Sequence, residues 1–144
     1  MDEAPNSAVM MFIAYRAAEN RILEVVHRAG FTDLTLAQCR IAQRLSPQGI
    51  RLTDLAEQAQ VTKQTAGALV DELERAGYVV RQPDPTDARA RLVMLAERGT
   101  TVCRVAAAEV DAIEAEWREH LGAKAYRDLR RALVALREIT DPWT

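Results

Sequence analysis

Apolar residues recur along this chain with a changing period, and each stretch of constant period predicts an element. From Ser7 to Ala29, Met11, Tyr15, Ala18, Ile22 and Val25 follow one another at steps of four and three, which is one face of a helix. Val9, Met10, Phe12 and Ile13 make the start of that helix apolar on its other sides as well. Such a helix needs cover from several directions, and in a chain this small a second subunit is the expected cover. Gly30 ends it, while Met1–Asn6 reads as a frayed tail. Thr35 caps a helix running to about Leu45, with Ile41 and Leu45 inward, and Ser46-Pro-Gln-Gly49 is a turn.

The next stretch carries the shortest periods. Ile50–Leu52 reads as a short strand, and Thr53 opens a helix that buries Leu55 and Ala56. A tight link near Ala59–Val61 leads to a second helix, opened by Thr62 and closed by Gly77. Its inward face is Ala66, Leu69, Val70 and Leu73, leaving Lys63, Gln64, Gly67, Ala68, Asp71 and Glu72 outside. A hairpin follows, Tyr78–Arg81 and Arg89–Leu95, with Pro83-Asp84-Pro85-Thr86-Asp87 as its tip. A long helix from about Ala96 to Leu121 then carries Val102, Ala106, Val110, Ile113, Trp117 and Leu121 in one stripe. Gly122 breaks it, and a last helix, about Ala123 to Ile139, presents Tyr126, Leu129, Leu133 and Leu136. The fold class is mostly α (α+β). Helix, turn, helix and β-ribbon over residues 34–95 is the layout of a winged helix-turn-helix lobe. Residues 7–30 and 96–140 supply more amphipathic helix than that lobe can cover, so they are expected to pair with a second copy. The whole, residues 1–144, reads as a single domain.

The run Asp87-Ala-Arg89-Ala90-Arg-Leu-Val93-Met-Leu95-Ala-Glu-Arg-Gly99 resembles the wing signature of the MarR family of bacterial regulators. Val61-Thr62-Lys63-Gln64-Thr65 and Leu73-Glu-Arg-Ala-Gly77-Tyr-Val-Val-Arg81 are similar to its recognition helix and strand entry. The likeness extends over nearly the whole chain in element order and is densest between residues 52 and 99. It implies a two-fold dimer built from the chain's ends, bound to double-stranded DNA. It also implies a small-molecule pocket between dimer helices and reading lobe, often for an aromatic acid or phenol. Tyr15, Arg16, His27 and Cys39 lie on elements that would border such a pocket.

Charge changes the picture. The formal net charge is −2 with an isoelectric point near 5.7, against the basic footprint usual for a nucleic-acid binder. Between Val61 and Val93, Lys63, Arg75, Arg81, Arg89 and Arg91 face an equal number of acids, Asp71, Glu72, Glu74, Asp84 and Asp87. Local arrangement must therefore do what net charge does not. Composition is otherwise that of a soluble, cytoplasmic protein: 49% hydrophobic, 28% charged, with no apolar run long enough for a membrane.

The candidate DNA-binding residues are Thr62, Lys63, Gln64, Thr65, Ala68, Arg81, Asp87, Arg89 and Arg91. A helix start offers backbone N–H groups to phosphate, while Lys and Gln side chains suit guanine and adenine edges. The family often has Ser and Arg where Gly67 and Ala68 stand, which leaves at most a thymine-methyl contact at position 68. Arg89 projects from the same side of its strand as Asp87, whose carboxylate is expected to hold the guanidinium outward. In the family the matching Arg enters the minor groove. Arg81 and Arg91 are candidates for phosphate contact or structural pairing. Many relatives carry a further Arg where Ala88 sits.

Cys39 and Cys103 form no CxxC, so neither a disulfide framework nor a zinc site is suggested, and apolar filling outweighs redox sensing. His27, His120 and Glu116 match no metal spacing. No catalytic grouping is present, and no cofactor is called for. The expectation is a homodimeric, ligand-responsive repressor on a palindromic operator, not an enzyme. The alternative is a dimeric winged-helix adaptor for a protein partner, motivated by the balanced charge of the lobe and by alanines at 68 and 88.

Overall fold

The computed structural model describes residues 3–143; Met1, Asp2 and Thr144, which fall in the expected tail and at the far end, lie outside the described residues. Among the described residues six helices and three strands follow in the order α1 Ser7–Arg28, α2 Leu36–Ala42, β1 Ile50–Arg51, α3 Leu52–Ala59, α4 Lys63–Arg75, β2 Val79–Asp84, β3 Asp87–Leu95, α5 Glu97–Leu121 and α6 Ala123–Thr140. The strands form one antiparallel sheet in the order β1-β3-β2, with Ile50 opposite Val93 and Val79 opposite Leu95.

Local chemistry accounts for most of the boundaries. Asn6 caps α1 by accepting the Val9 N–H at 3.0 Å, so this residue, expected in the tail, belongs to the helix end. Thr35 and Gln38 cap one another: the threonine hydroxyl accepts the Gln38 N–H, and the Gln38 side chain accepts the Thr35 N–H. That helix stops at Ala42, three residues short of expectation, although Leu45 still packs against the core. Thr53 does not cap α3. The strand runs directly into the helix, Arg51 takes the capping position in an extended conformation, and no side chain caps it.

Thr62 does cap α4, accepting the Thr65 N–H at 3.0 Å. Gly77, at φ +82°, supplies the left-handed residue beyond the helix end, and the Tyr78 N–H returns to the Leu73 carbonyl. Between α3 and α4 the same left-handed turn is made by Gln60 at φ 57°, its side chain donating to the Glu57 carbonyl. The hairpin is longer than its pattern suggested. Both strands extend to a tip of only Pro85 and Thr86, and the register slips between Pro83 and Asp84. Pro83 is tolerated because β2 lies at the sheet edge, where a missing N–H removes no ladder bond on the open side.

One core joins these elements: Val26, Leu34, Ile41, Leu55, Val70, Leu73, Tyr78, Val79, Val93 and Val102 are all buried in it. Leu69, expected inward with them, is half-buried at its margin. Gly99 lets α5 approach closely, since a Cβ there would lie 2.1 Å from the Tyr78 carbonyl oxygen. The ends of the chain behave differently. Val9–Ile13 and Tyr15 are exposed on α1, and α6 has no buried residue. Of the long stripe on α5, Val102 and Ile113 are buried, whereas Val110 and Leu121 remain exposed.

Candidate nucleic-acid interface and adjoining cavity

Thr62, Lys63, Gln64 and Thr65 form the first turn of α4, and all four are exposed. The Thr62 hydroxyl is spent on its own helix, accepting from the Thr65 N–H and donating to the Thr65 hydroxyl at 2.9 Å. Lys63 and Gln64 make no side-chain hydrogen bond or ion pair among the described residues. Ala68 is exposed one turn on, and beside it a Cβ on Gly67 would meet only Leu52 at 3.7 Å. The helix front is thus small, polar and unobstructed.

The balanced charge of the lobe resolves once the ion pairs are placed. Arg81 donates to Asp71 and to Glu74, both at 2.9 Å, clasping β2 to the side of α4. Its side chain is only 16% exposed, so of the two roles open to Arg81 it occupies the structural one. Glu72 accepts from Gln38 on α2. Asp84 is buried and accepts four hydrogen bonds, from the Thr86 N–H and hydroxyl and from Nε and Nη2 of Arg51. Thr86 and, after it, Arg51 hold that carboxyl well below its usual range, at about 2. Most of the acids are therefore taken up within the lobe. Lys63, Arg75, Arg89 and Arg91 are exposed and have no carboxylate partner among the described residues.

The wing differs from expectation in its wiring. Asp87 does not hold the Arg89 guanidinium. Its carboxylate accepts the Arg89 backbone N–H at 3.0 Å and lies 3.8 Å from Arg51. An Asp two residues ahead closes a local turn more readily than it reaches along an extended side chain. Arg51 thus braces the wing through Asp84 and Asp87, and the Arg89 side chain is left free. Asp84-Pro-Thr86 carries the sequence signal of an Asx turn; nothing local marks Arg51 as its partner, 33 positions away.

A cavity of about 300 Å³ lies between α1, α2 and α5. Ala18, Ile22, Leu23 and Val26 form one wall, and Val102, Ala106, Ala107 and Val110 another, with Cys39 and Cys103 between them. Burial pushes both thiols up, away from the thiolate form. Tyr15, Glu19, Arg40 and Gln43 make the polar end. Arg40 donates from Nε and Nη2 to the two oxygens of Glu19 at 2.7 and 2.8 Å, and the Tyr15 hydroxyl donates to Glu19 at 2.9 Å. Arg40 holds the Glu19 carboxyl below its ordinary value, while burial followed by the Glu19 hydrogen bond raises Tyr15. Of the residues expected at a pocket, Tyr15 and Cys39 line this one. Arg16 instead stacks over the Phe12 ring, and His27 is hydrogen-bonded to the Leu34 carbonyl. Glu116 is paired with Arg21, and no group of three or more metal-binding side chains occurs among the described residues.

Comparison with known proteins points one way. A family model described as MarR family matches residues 32–90, the lobe just described. The transcriptional activatory protein BadR of Rhodopseudomonas palustris is 34% identical over 93 residues, 65% of this chain and 52% of BadR, so the match spans about half of that relative. RV1404 from Mycobacterium tuberculosis, a solved structure, is 27% identical with a TM-score of 0.70, covering 95% of this chain and 96% of RV1404. NadR, solved in complex with 4-hydroxyphenylacetate, has a TM-score of 0.72 at 24% identity, over 96% of this chain and 97% of NadR. The lobe, over residues 32–90, is thus similar to the MarR family, and the chain as a whole shares its fold with the solved structures of RV1404 and NadR.

Proposed function

We propose that this chain is a homodimeric DNA-binding repressor whose operator is an inverted repeat. The observation that carries the reading is the sorting of charge within the lobe. Arg51 and Arg81 are neutralised by carboxylates, while Lys63 stays exposed on an uncluttered α4 front and Arg89 and Arg91 stay exposed on the wing. Thr62, Lys63, Gln64 and Thr65 meet the major groove, with Ala68 as an apolar contact. Arg89 enters the minor groove, Asp87 sets its backbone, and Arg91 meets phosphate. The exposed apolar faces of α1 and α6 support the dimer. Two-fold symmetry then requires half-sites about one helical turn apart, roughly 34–36 Å. Repression follows from occupancy of the operator by the unliganded dimer.

The cavity beside α2 is the effector site in this reading, and NadR with its aromatic ligand supports a small aromatic effector. Binding there couples to the lobe through α2, and a coupling of about 1–3 kcal/mol is sufficient. Selection of bound sequences from random duplexes tests the proposal. A recovered palindrome with that spacing is the expected result. Recovery of no sequence, or affinity indifferent to salt, overturns it in favour of a protein-binding adaptor, because only phosphate neutralisation releases counterions.

A further inference from the structure

The polar end of the cavity between α1, α2 and α5 is electrically closed. Its lining carries two ionised groups, Glu19 and Arg40, and each is the other's partner. Glu19 is only 8% exposed, and its two oxygens already accept three hydrogen bonds, two from Arg40 and one from Tyr15. A ligand carboxylate seated there would find the Nε–Nη2 edge of Arg40 occupied and the Glu19 anion beside it. To take that edge it would have to break a bidentate pair and leave a buried carboxylate without its counter-charge. On the remaining Nη1 edge it would be a second anion sharing one guanidinium with Glu19, and both arrangements are unfavourable. An uncharged ligand faces neither difficulty. The rest of the wall is aliphatic or thiol, and 300 Å³ is about twice the roughly 150 Å³ that takes a benzene ring.

We propose that this cavity takes an uncharged aromatic molecule of one or two fused rings, and that the Glu19–Arg40 pair excludes aromatic carboxylates. The proposal rests on the reading of the cavity as the effector site. A hydroxyl or amide on the ligand is served by Gln43 at the polar end, and the rings lie against Ile22, Val26 and Val102. Selectivity resides in one carboxylate: with Glu19 uncharged, the Arg40 fork is free and the preference reverses.

Calorimetric titration of the full chain with naphthalene carboxamide and naphthalene carboxylate, matched in shape and differing in charge, tests this. The wild type is expected to bind the amide at least about tenfold more tightly. Glu19→Gln keeps the shape and the Tyr15 acceptor, and it is expected to bind the carboxylate in preference. Circular dichroism of the variant checks that it folds. A wild type that takes the carboxylate as well as the amide overturns the proposal, as does a folded Glu19→Gln chain with unchanged preference. Ala107→Trp, at the exposed edge of the lining, separates this failure from that of the site itself. Loss of both ligands in that variant places them in the cavity. Binding unaltered by it, or no binding of either compound to either chain, removes the effector site and the proposal with it.

Discussion

The lobe helices α3 and α4 and the last helix, α6, are built from similarly amphipathic sequence, yet they finish in opposite states. In the lobe, α3 and α4 bury the centre of their apolar faces: Leu55 and Val70 are at 0% exposure and Leu73 at 1%. On α6, Leu129, Leu133 and Leu136 repeat at the same helical spacing but stay 37–40% exposed, and Ile139 is 84% exposed. The front of α1 is similar, with Phe12 at 53%. Periodicity states that a face is apolar and says nothing of what covers it. The lobe is a solved packing problem within one chain, and the ends leave theirs open.

Variants break or sharpen this contrast. The largest effect is expected where packing is complete: Leu73→Ala should lower unfolding stability by about 2–5 kcal/mol, read from urea denaturation. If that loss is instead well under 1 kcal/mol, the lobe is less tightly packed than its burial implies. The same change at Leu133 should barely move single-chain packing, so the informative substitution there is Leu133→Asp. It is expected to weaken self-association at least about tenfold, seen by sedimentation, while the helical signal of the lobe persists. An unaltered association state would remove α6 from the interface.

Within the lobe, free and engaged arginines should also separate. Arg89→Ala is expected to weaken operator binding by about 1–3 kcal/mol in a mobility shift at fixed salt, with unfolding stability unchanged. Arg81→Ala should do the reverse, loosening β2 from α4 and reducing stability before it affects groove contacts. Equal effects of both on affinity would erase the distinction. A smaller gain is expected from Gly67→Ala. Its Cβ meets only Leu52 at ordinary contact distance, so thermal unfolding should show a stabilisation of about 0.5–1 kcal/mol.

The wing brace gives the smallest and most specific signature. Asp84 has a folded value of about 2 against an ordinary 3.8. Being lowered, it contributes stability that is present above 3.8 and lost as pH falls towards 2. Asp84→Asn should therefore flatten that part of the acid limb in denaturation followed as a function of pH. An identical acid limb in the variant would show that Arg51 and Thr86 do not hold the wing as described.

Much of the fold was legible because its determinants are close in sequence. Thr35, Thr62 and Gly77 reveal helix ends through partners within five residues, and the Ala66–Leu73 spacing reveals a buried face whatever it packs against. The same locality explains the misplaced boundaries. Thr53 has the chemistry of a cap, but strand pairing of Arg51 with Leu92 moved the helix start forward. Asp87 and Arg89 have complementary charge, but the nearer backbone N–H took the carboxylate.

Residue spacing by itself determined the succession of elements, the inward faces and the exposed start of α4. Tertiary structure alone decided which charges survive at the surface and which cancel. Arg51 meets Asp84 across 33 positions and Arg40 meets Glu19 across 21, and every carboxylate in the chain was a formal competitor for each. Which competitor prevails depends on distance and desolvation after folding, and both are properties of the packed chain.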